Sequence, residues 1–393
     1  MKAVFFLLLG MLATLSMAAS PRTVTDMAGR TVTLPETIGK VLAPGHCASL
    51  VGAFAAEKIS GGLVRGKDAQ ALVPEAWWNT DTMQRGPSGP PPGAGGPPSG
   101  PQGAKGMKPA KGGPGGPPGN DSARLARMKE MMFKDHITLL FQEMRSPRSA
   151  AEADSLQKMT GVPVVLLELD IPRYREAFEL LGTIFEKPER TKALTDFATR
   201  YLDPIAAKVK TIPTSKRVRV YYAEGLDGLR TEPAGSAHTE ALEFAGAINV
   251  MGAPAGNSMD QPVEVTVRQV DSLAPSLILV ATPGSENLTA YSHILLDSSW
   301  QSVPAVKKKQ VYQIPAKPFS WFDRPPGANR MIGIVWIAHL LYPDQFPYDM
   351  VQVTREFFRA FYEADISEAQ AKALLEVQPS PRPAKNRAKP GKY

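Results

Sequence analysis

Only one cysteine, Cys47, occurs in the 393 residues. No intramolecular disulfide can form, so ordinary apolar cores must hold the fold even in an oxidising compartment. Long apolar runs are also scarce. Beyond the first twenty residues, nothing reaches the roughly 18–20 apolar residues that a membrane span needs. The nearest stretch, MIGIVWIAHLLY, is too short and reads as a buried helix. Catalytic signatures are missing: there is no GxSxG, no GxxxxGK[ST] and no His-Glu zinc pair. HxxxH and CxxC spacings are absent too, so neither catalysis nor a preformed zinc site is signalled. Acids are lacking where the bases cluster. Arg85, Lys105, Lys108 and Lys111 lie in one acid-free tract, and Arg382, Lys385, Arg387, Lys389 and Lys392 in another. With Lys2, these ten cations exceed the formal net charge of +7. The rest of the chain is therefore slightly acidic, and no nucleic-acid partner is implied.

What is present begins with MKAVFFLLLGMLATLSMAAS: a lysine, an apolar run, then small residues. This pattern predicts a signal peptide over residues 1–18, and hence export of a soluble protein. No cysteine follows that run, so a lipid anchor is not expected. The chain's 393 residues, 43% of them hydrophobic, support two lobes rather than one.

The phrase RTVTDMAGRTVTLP predicts a small hairpin around Ala28-Gly29, followed by a strand at Lys40–Ala43. PGHCAS then turns into an apolar helix. Residues 85–120 are mostly Gly and Pro without a strict Gly-X-Y period, so disorder is expected rather than a collagen helix. Strands at HITLLFQEM and VPVVLLEL flank a helix over AAEADSLQKM. Glu189 to Lys210 carries Leu194, Phe197, Tyr201, Ile205 and Val209 at helical spacing. Those ~22 residues would span roughly 33 Å, with a kink expected at Pro204. The α/β alternation then restarts through RVRVYYAE, LILVAT and KQVYQIP. The predicted fold is α/β: two α/β lobes joined by one long rigid helix, with the ligand cleft between the lobes. The expected boundaries are 22–186 for the first lobe, 187–211 for the linker, 216–376 for the second lobe and 377–393 for a basic tail.

The hairpin phrase, the block YYAEGLDGLRTEPAGSAHTEALEFAGAINV, the segment VEVTVRQVDSLAPSLILVATPGSENL and WQSVPAVKKKQVYQIP, in that order, resemble one known family. It is the periplasmic substrate-binding proteins of ABC importers for ferric siderophores, cobalamin and other metal chelates. The resemblance runs from about Arg22 to Phe346 without the Gly/Pro insert. It implies a periplasmic, monomeric, non-enzymatic protein that needs no cofactor. Such a protein would capture a metal chelate, foremost of the iron-siderophore type, and deliver it to an ABC permease and its ATPase. It also implies a docking glutamate on each lobe: Glu240 matches in the second, whereas the first-lobe loop APGHCASLVGAF has no acid and Glu57 is the substitute. A different class of reading is an envelope interaction protein that keeps this fold and uses the insert and tail to hold partners.

Several residues are candidates for the ligand. His46 sits in a loop at a strand's C-terminal end, where open α/β sheets place ligands; a plain loop position is the alternative. Its neighbour Cys47 is either a soft metal donor or a small buried hydrophobe. His238 begins a second-lobe helix and either meets the chelate or bonds nearby backbone. Tyr222 and Arg230 follow a second-lobe strand, the arginine offering fork-shaped donors to ligand oxygens. Trp77 and Trp78 form an aromatic wall or an anchor to the lobe. In SWFDRPPGANR, the prolines stiffen the loop and hold Trp321, Phe322 and Arg324 at the cleft mouth; otherwise Asp323 and Arg324 pair and Trp321 packs beneath. Asn329 is placed to cap the next helix. His339, on an apolar helix, reads as a satisfied core histidine, and Met128, Met131, Met132, His136 and Met144 are either soft-metal donors or, at helical spacing, methionine core filler.

Overall fold

The structure, a computed structural model, describes residues 22–61, 63–64, 66–78, 129–130, 132–253, 262–282, 289–323 and 327–376. The expected signal peptide, the Gly/Pro tract 85–120, the basic tail, and Arg324 with Pro325 and Pro326 lie outside these residues.

The first described elements are β1 (Thr23–Thr25) and β2 (Thr31–Thr33), an antiparallel hairpin. Asp26 builds its turn. One carboxylate oxygen accepts the Ala28 and Arg30 amides, and the other accepts the Leu166 amide at 3.2 Å. A short acidic side chain thus both closes the turn and staples the hairpin to the sheet beneath.

That sheet consists of β3 (Lys40–Leu42), β4 (Ile137–Glu143) and β5 (Val164–Leu167), parallel in the order β3-β4-β5. Helices α1 (Cys47–Ala55), α2 (Ser149–Thr160) and α3 (Tyr174–Phe185) accompany it. All four β5 side chains are buried, as expected for a parallel strand covered on both faces.

The linker is α4 (Pro188–Phe197), a π-helical stretch Ala198–Leu202, and α5 (Asp203–Val209). The π stretch ends just before Pro204. That residue has no N–H for the ladder, so the preceding turn widens its hydrogen-bond register instead of breaking. The close crossing of α3 and α4 depends on Gly182, where an added Cβ would lie 1.8 Å from Thr191 Oγ1.

The second sheet is fully parallel: β6 (Arg219–Ala223), β8 (Ile248–Asn249), β10 (Leu277–Val280) and β11 (Val311–Gln313), in the order β11-β10-β6-β8. A small antiparallel pair, β7 (Arg230–Thr231) with β9 (Val263–Glu264), sits beyond β6. Helices α6 (Glu240–Phe244), α7 (Val267–Leu273), α8 (Thr289–Leu296) and α9 (Arg330–Leu341) complete this lobe. None of the described helices is long and apolar enough to cross a membrane.

The chain then returns. Helices α10 (Met350–Tyr362) and α11 (Glu368–Leu375) were expected in the second lobe, yet α10 packs its aromatic stripe on the linker and the first lobe. Phe357 meets Phe197 at 5.5 Å between ring centroids, Phe361 meets Phe178 at 6.1 Å, and Tyr362 meets Trp77 at 4.7 Å. Buried Arg190 of α4 ties these parts together by donating to the Ala53 carbonyl of α1 and the Phe361 carbonyl of α10. Those are carbonyls that helix ends leave without intrahelical partners. One apolar core consequently runs through both lobes and the linker.

Candidate functional site

Loops after parallel strands β3 and β11 carry some of the candidate residues. In the first lobe, Gly45 adopts φ +58° between β3 and α1, a conformation that favours glycine, and delivers His46 at the start of the helix. The neighbouring strand β4 ends in Glu143. His46 Nδ1 lies 2.9 Å from Glu143 Oε2, and Arg145 Nη2 lies 2.7 Å from the same oxygen. The loop holding Arg145 is fixed by Ser149, whose hydroxyl accepts both the Arg145 and Ser146 amides. Burial works to raise the Glu143 carboxyl, but hydrogen bonds and charge from His46 and Arg145 outweigh it and hold the carboxyl below its ordinary value. Cys47, by contrast, is fully buried and burial pushes its thiol up, so it is the inert hydrophobe of the two readings.

In the second lobe, His238 lies in the loop before α6. Its Nδ1 is 2.8–2.9 Å from both carboxylate oxygens of Asp323. Asp323 is buried, and Ser320 Oγ accepts the Phe322 and Asp323 amides at 3.3 Å, which pins the loop under the histidine. The expected turn residue Asp323 therefore serves His238. Both imidazoles remain partly exposed, with 23% of the His46 side chain and 21% of the His238 side chain accessible.

The aromatic candidates sit deeper than a ligand wall requires. Trp321 is 0% exposed and Phe322 1%. The Trp321 indole donates to the Lys317 carbonyl, and its own carbonyl presses on α9 at Gly333. Phe322 packs on Tyr222 at 4.5 Å between centroids, and the Tyr222 hydroxyl donates to Glu224 at 3.0 Å. Trp77 is buried against Tyr362 and Gly52, while Trp78 is partly buried at the core's edge. These rings brace the loops from behind. Arg230 is exposed on β7. Asn329 does not cap α9: its amide donates to the Phe319 carbonyl and its oxygen accepts from the Tyr362 hydroxyl. His339 bonds the Phe346 carbonyl at 2.8 Å, the satisfied-histidine reading.

Between the lobes lies a polar clasp that sequence reasoning missed. Arg330, in the first turn of α9, is 3% exposed. It donates to the Tyr174 hydroxyl at 3.0 Å, to Glu240 Oε2 at 2.8 Å and to the Leu169 carbonyl. The Tyr174 hydroxyl in turn donates to the Gly327 carbonyl, and the Ile171 amide donates to Glu240 Oε1 at 2.8 Å. Second-lobe Arg330 and Glu240 thereby grip three first-lobe residues. Burial raises the Glu240 carboxyl above its ordinary value although Arg330 and the Ile171 amide oppose this. Two outer contacts join in: Ala328 N to Ser49 Oγ at 3.1 Å and Lys317 Nζ to Asp68 at 3.1 Å. A lone arginine heading an otherwise apolar helix was the available signal, because a buried cation must find partners. Glu57 is half exposed, 3.5 Å from Lys187 Nζ. Among the described residues, no group of three or more His, Cys, Asp and Glu is placed to hold a metal ion.

Residues 139–318 match the family described as periplasmic binding protein. The molybdate-binding protein MolA of Haemophilus influenzae is 29% identical over 191 residues, 48% of this chain and 51% of the relative. That match spans about half the relative's length. An ABC transporter solute binding protein from Sulfurospirillum deleyianum is 26% identical, with a TM-score of 0.71 over 91% of this chain and 99% of that one. The molybdate-bound structure of MolA from Haemophilus influenzae shares the fold at a TM-score of 0.56 and 20% identity, covering 88% of this chain and 99% of that one.

Proposed function

Taking as premise that residues 139–318 form a periplasmic binding protein domain, we propose that the chain is the solute-capturing component of an ABC importer and works in the periplasm. Its cargo is a small metal-containing solute held between the lobes, a chelate of a transition metal in first place. The observation that carries this reading is the pair His46 and His238. One imidazole comes from each lobe and both are partly exposed; His46 follows parallel strand β3, where such sheets place ligands, and His238 lies against Asp323 on the loop after parallel strand β11. Imidazole nitrogen is a common donor to transition metals. Arg145, two-thirds exposed beside His46, adds a cation for the anionic oxygens of a chelator.

The aromatic residues Trp77, Tyr222, Trp321 and Phe322 support these loops, so they act on capture through rigidity. For the permease, Glu57 offers an accessible carboxylate, whereas both oxygens of Glu240 are engaged in the clasp. A bare oxyanion is the second reading, favoured by the molybdate-binding relative. Titrating the purified protein with ferric siderophores, cobalamin, haem, nickel and cobalt chelates and molybdate, followed by tryptophan fluorescence, tests the proposal. Saturable binding of a metal chelate is expected. Saturation with molybdate alone supports the second reading, and no response to any of them rejects solute capture of this class.

A further inference from the structure

One end of the second lobe gathers lysines, although the chain apart from its two basic tracts is slightly acidic. We propose that this end is a docking face for an anionic lipid surface. It lies at the opposite edge of the second sheet from the loop that carries Asp323, and it stands independently of the solute-capture reading.

The sheet topology sets the placement. Strands β11, β10 and β6 are parallel neighbours, so their first residues share one edge. The Gln310 carbonyl accepts the Ile278 amide and the Arg219 carbonyl accepts the Ser276 amide, so Lys309 and Arg219 flank the start of β10. At about 4.8 Å per strand, Gln310 and Arg219 are roughly 10 Å apart. Two helices end at the same edge. The helix Pro304–Lys307 leads through Lys308 and Lys309 into β11, and α5 ends at Val209 between Lys208 and Lys210. The Arg217 guanidinium donates to the Val209 and Ile212 carbonyls at 3.1 and 3.3 Å, which ties the end of α5 to the start of β6. Lys216 ends the turn between them. All six lysines are exposed. A single cation complements a helix C-terminus, yet each of these two ends carries more than one. Among the described residues, none of the six lysines is ion-paired, whereas Arg173, Arg175, Lys187 and Arg200 are. Asp271 on α7 and Asp344 after α9 approach this end, and neither pairs with these cations. The arginines are occupied: Arg219 donates to the Leu273 carbonyl at 2.7 Å, and Arg217 is held as above. Their planar forks, which would read a phosphate or carboxylate bidentately, are turned to the protein. What faces solvent is lysine, a compact charge on a flexible stem, which suits a diffuse negative surface better than a peptide read in register. Each basic residue near an anionic bilayer raises partition about fivefold, within a Debye length of ~8 Å at physiological salt. At the opposite edge Glu224 and Asp323 follow β6 and β11, so the charge gradient along the lobe turns the lysine end toward such a surface.

Co-sedimentation of the purified protein with vesicles tests this. Binding to phosphatidylglycerol-rich vesicles, absent from pure phosphatidylcholine vesicles and weakened by added salt, is expected. Lys307→Gln, Lys308→Gln and Lys309→Gln combined should lower the partition on the order of 100-fold. These side chains are exposed, so urea stability and solute titrations should match wild type. The basic tail supplies the control: Arg382→Gln, Lys385→Gln and Arg387→Gln combined remove the same charge elsewhere and should cost much less. Vesicle binding without a preference for phosphatidylglycerol overturns the proposal. So does a loss in the tail variant that equals or exceeds the loss in the lysine variant, because net charge alone then accounts for the attraction. Capture of polyglutamate without vesicle binding assigns the face to an acidic protein and overturns the lipid assignment.

Discussion

Replacing Arg330 by methionine tests the clasp between the lobes. Methionine keeps length and apolar volume in a site that is 3% exposed, but it removes the charge and every donor. Glu240 would lose its 2.8 Å partner, and the Tyr174 hydroxyl and Leu169 carbonyl would each lose a donor. Removing one member of a buried ion pair typically costs 3–5 kcal/mol, because the remaining charge stays desolvated. A quarter of the Glu240 side chain is exposed and the Ile171 amide still supports it, so the lower end, about 3 kcal/mol, applies. That is a large part of the 5–15 kcal/mol by which proteins are usually stable. Urea unfolding followed by circular dichroism measures it. The same substitution in a Glu240→Gln background should cost about 1–3 kcal/mol less, since the orphaned charge is gone. A loss below about 0.5 kcal/mol, or an equal loss in both backgrounds, would refute the idea that Arg330 and Glu240 hold the lobes as a coupled pair.

Other consequences follow from the same packing. Gly333→Ala would put a Cβ 1.6 Å from the Trp321 carbonyl oxygen, so a thermal melt should show at least the 1–3 kcal/mol loss typical of overpacking. Trp321→Ala empties a fully buried site and should cost about 3–5 kcal/mol in urea unfolding; an unchanged stability with weakened capture would return Trp321 to the cleft wall. The folded-state carboxyl of Glu240 is raised, so the folded protein holds that proton more tightly than the unfolded chain does. Its contribution to stability is complete below the ordinary glutamate range and is lost as pH rises through the raised folded value. Glu240→Gln should remove that component from a stability–pH profile.

The alternation of apolar strands and amphipathic helices made the two α/β lobes and the helical link readable in the sequence. Lys187-Pro188 marked where the linker begins, and the structure starts α4 at Pro188. His46 and His238 stood out in the sequence as candidate ligand contacts, His46 by its place at a strand's end and His238 by its place at a helix start. Their carboxylate partners did not, because Glu143 lies 97 residues beyond His46 and Asp323 lies 85 beyond His238, and only the fold joins them. The place of α10 was not legible either, because its contacts with Phe178, Phe197 and Trp77 join residues far apart in the chain. SWFDRPPGANR misled for a related reason. Its large rings suggested a binding wall, yet Trp321 and Phe322 turn inward, while Asp323 lies against His238.

Equilibrium binding of one well-behaved metal chelate to wild type, His46→Ala and His238→Ala tests the central claim most directly. A ligand held between the lobes by one imidazole from each should lose at least about tenfold in affinity with either substitution, with urea stability near wild type. Wild-type affinity in both variants would contradict capture by this pair.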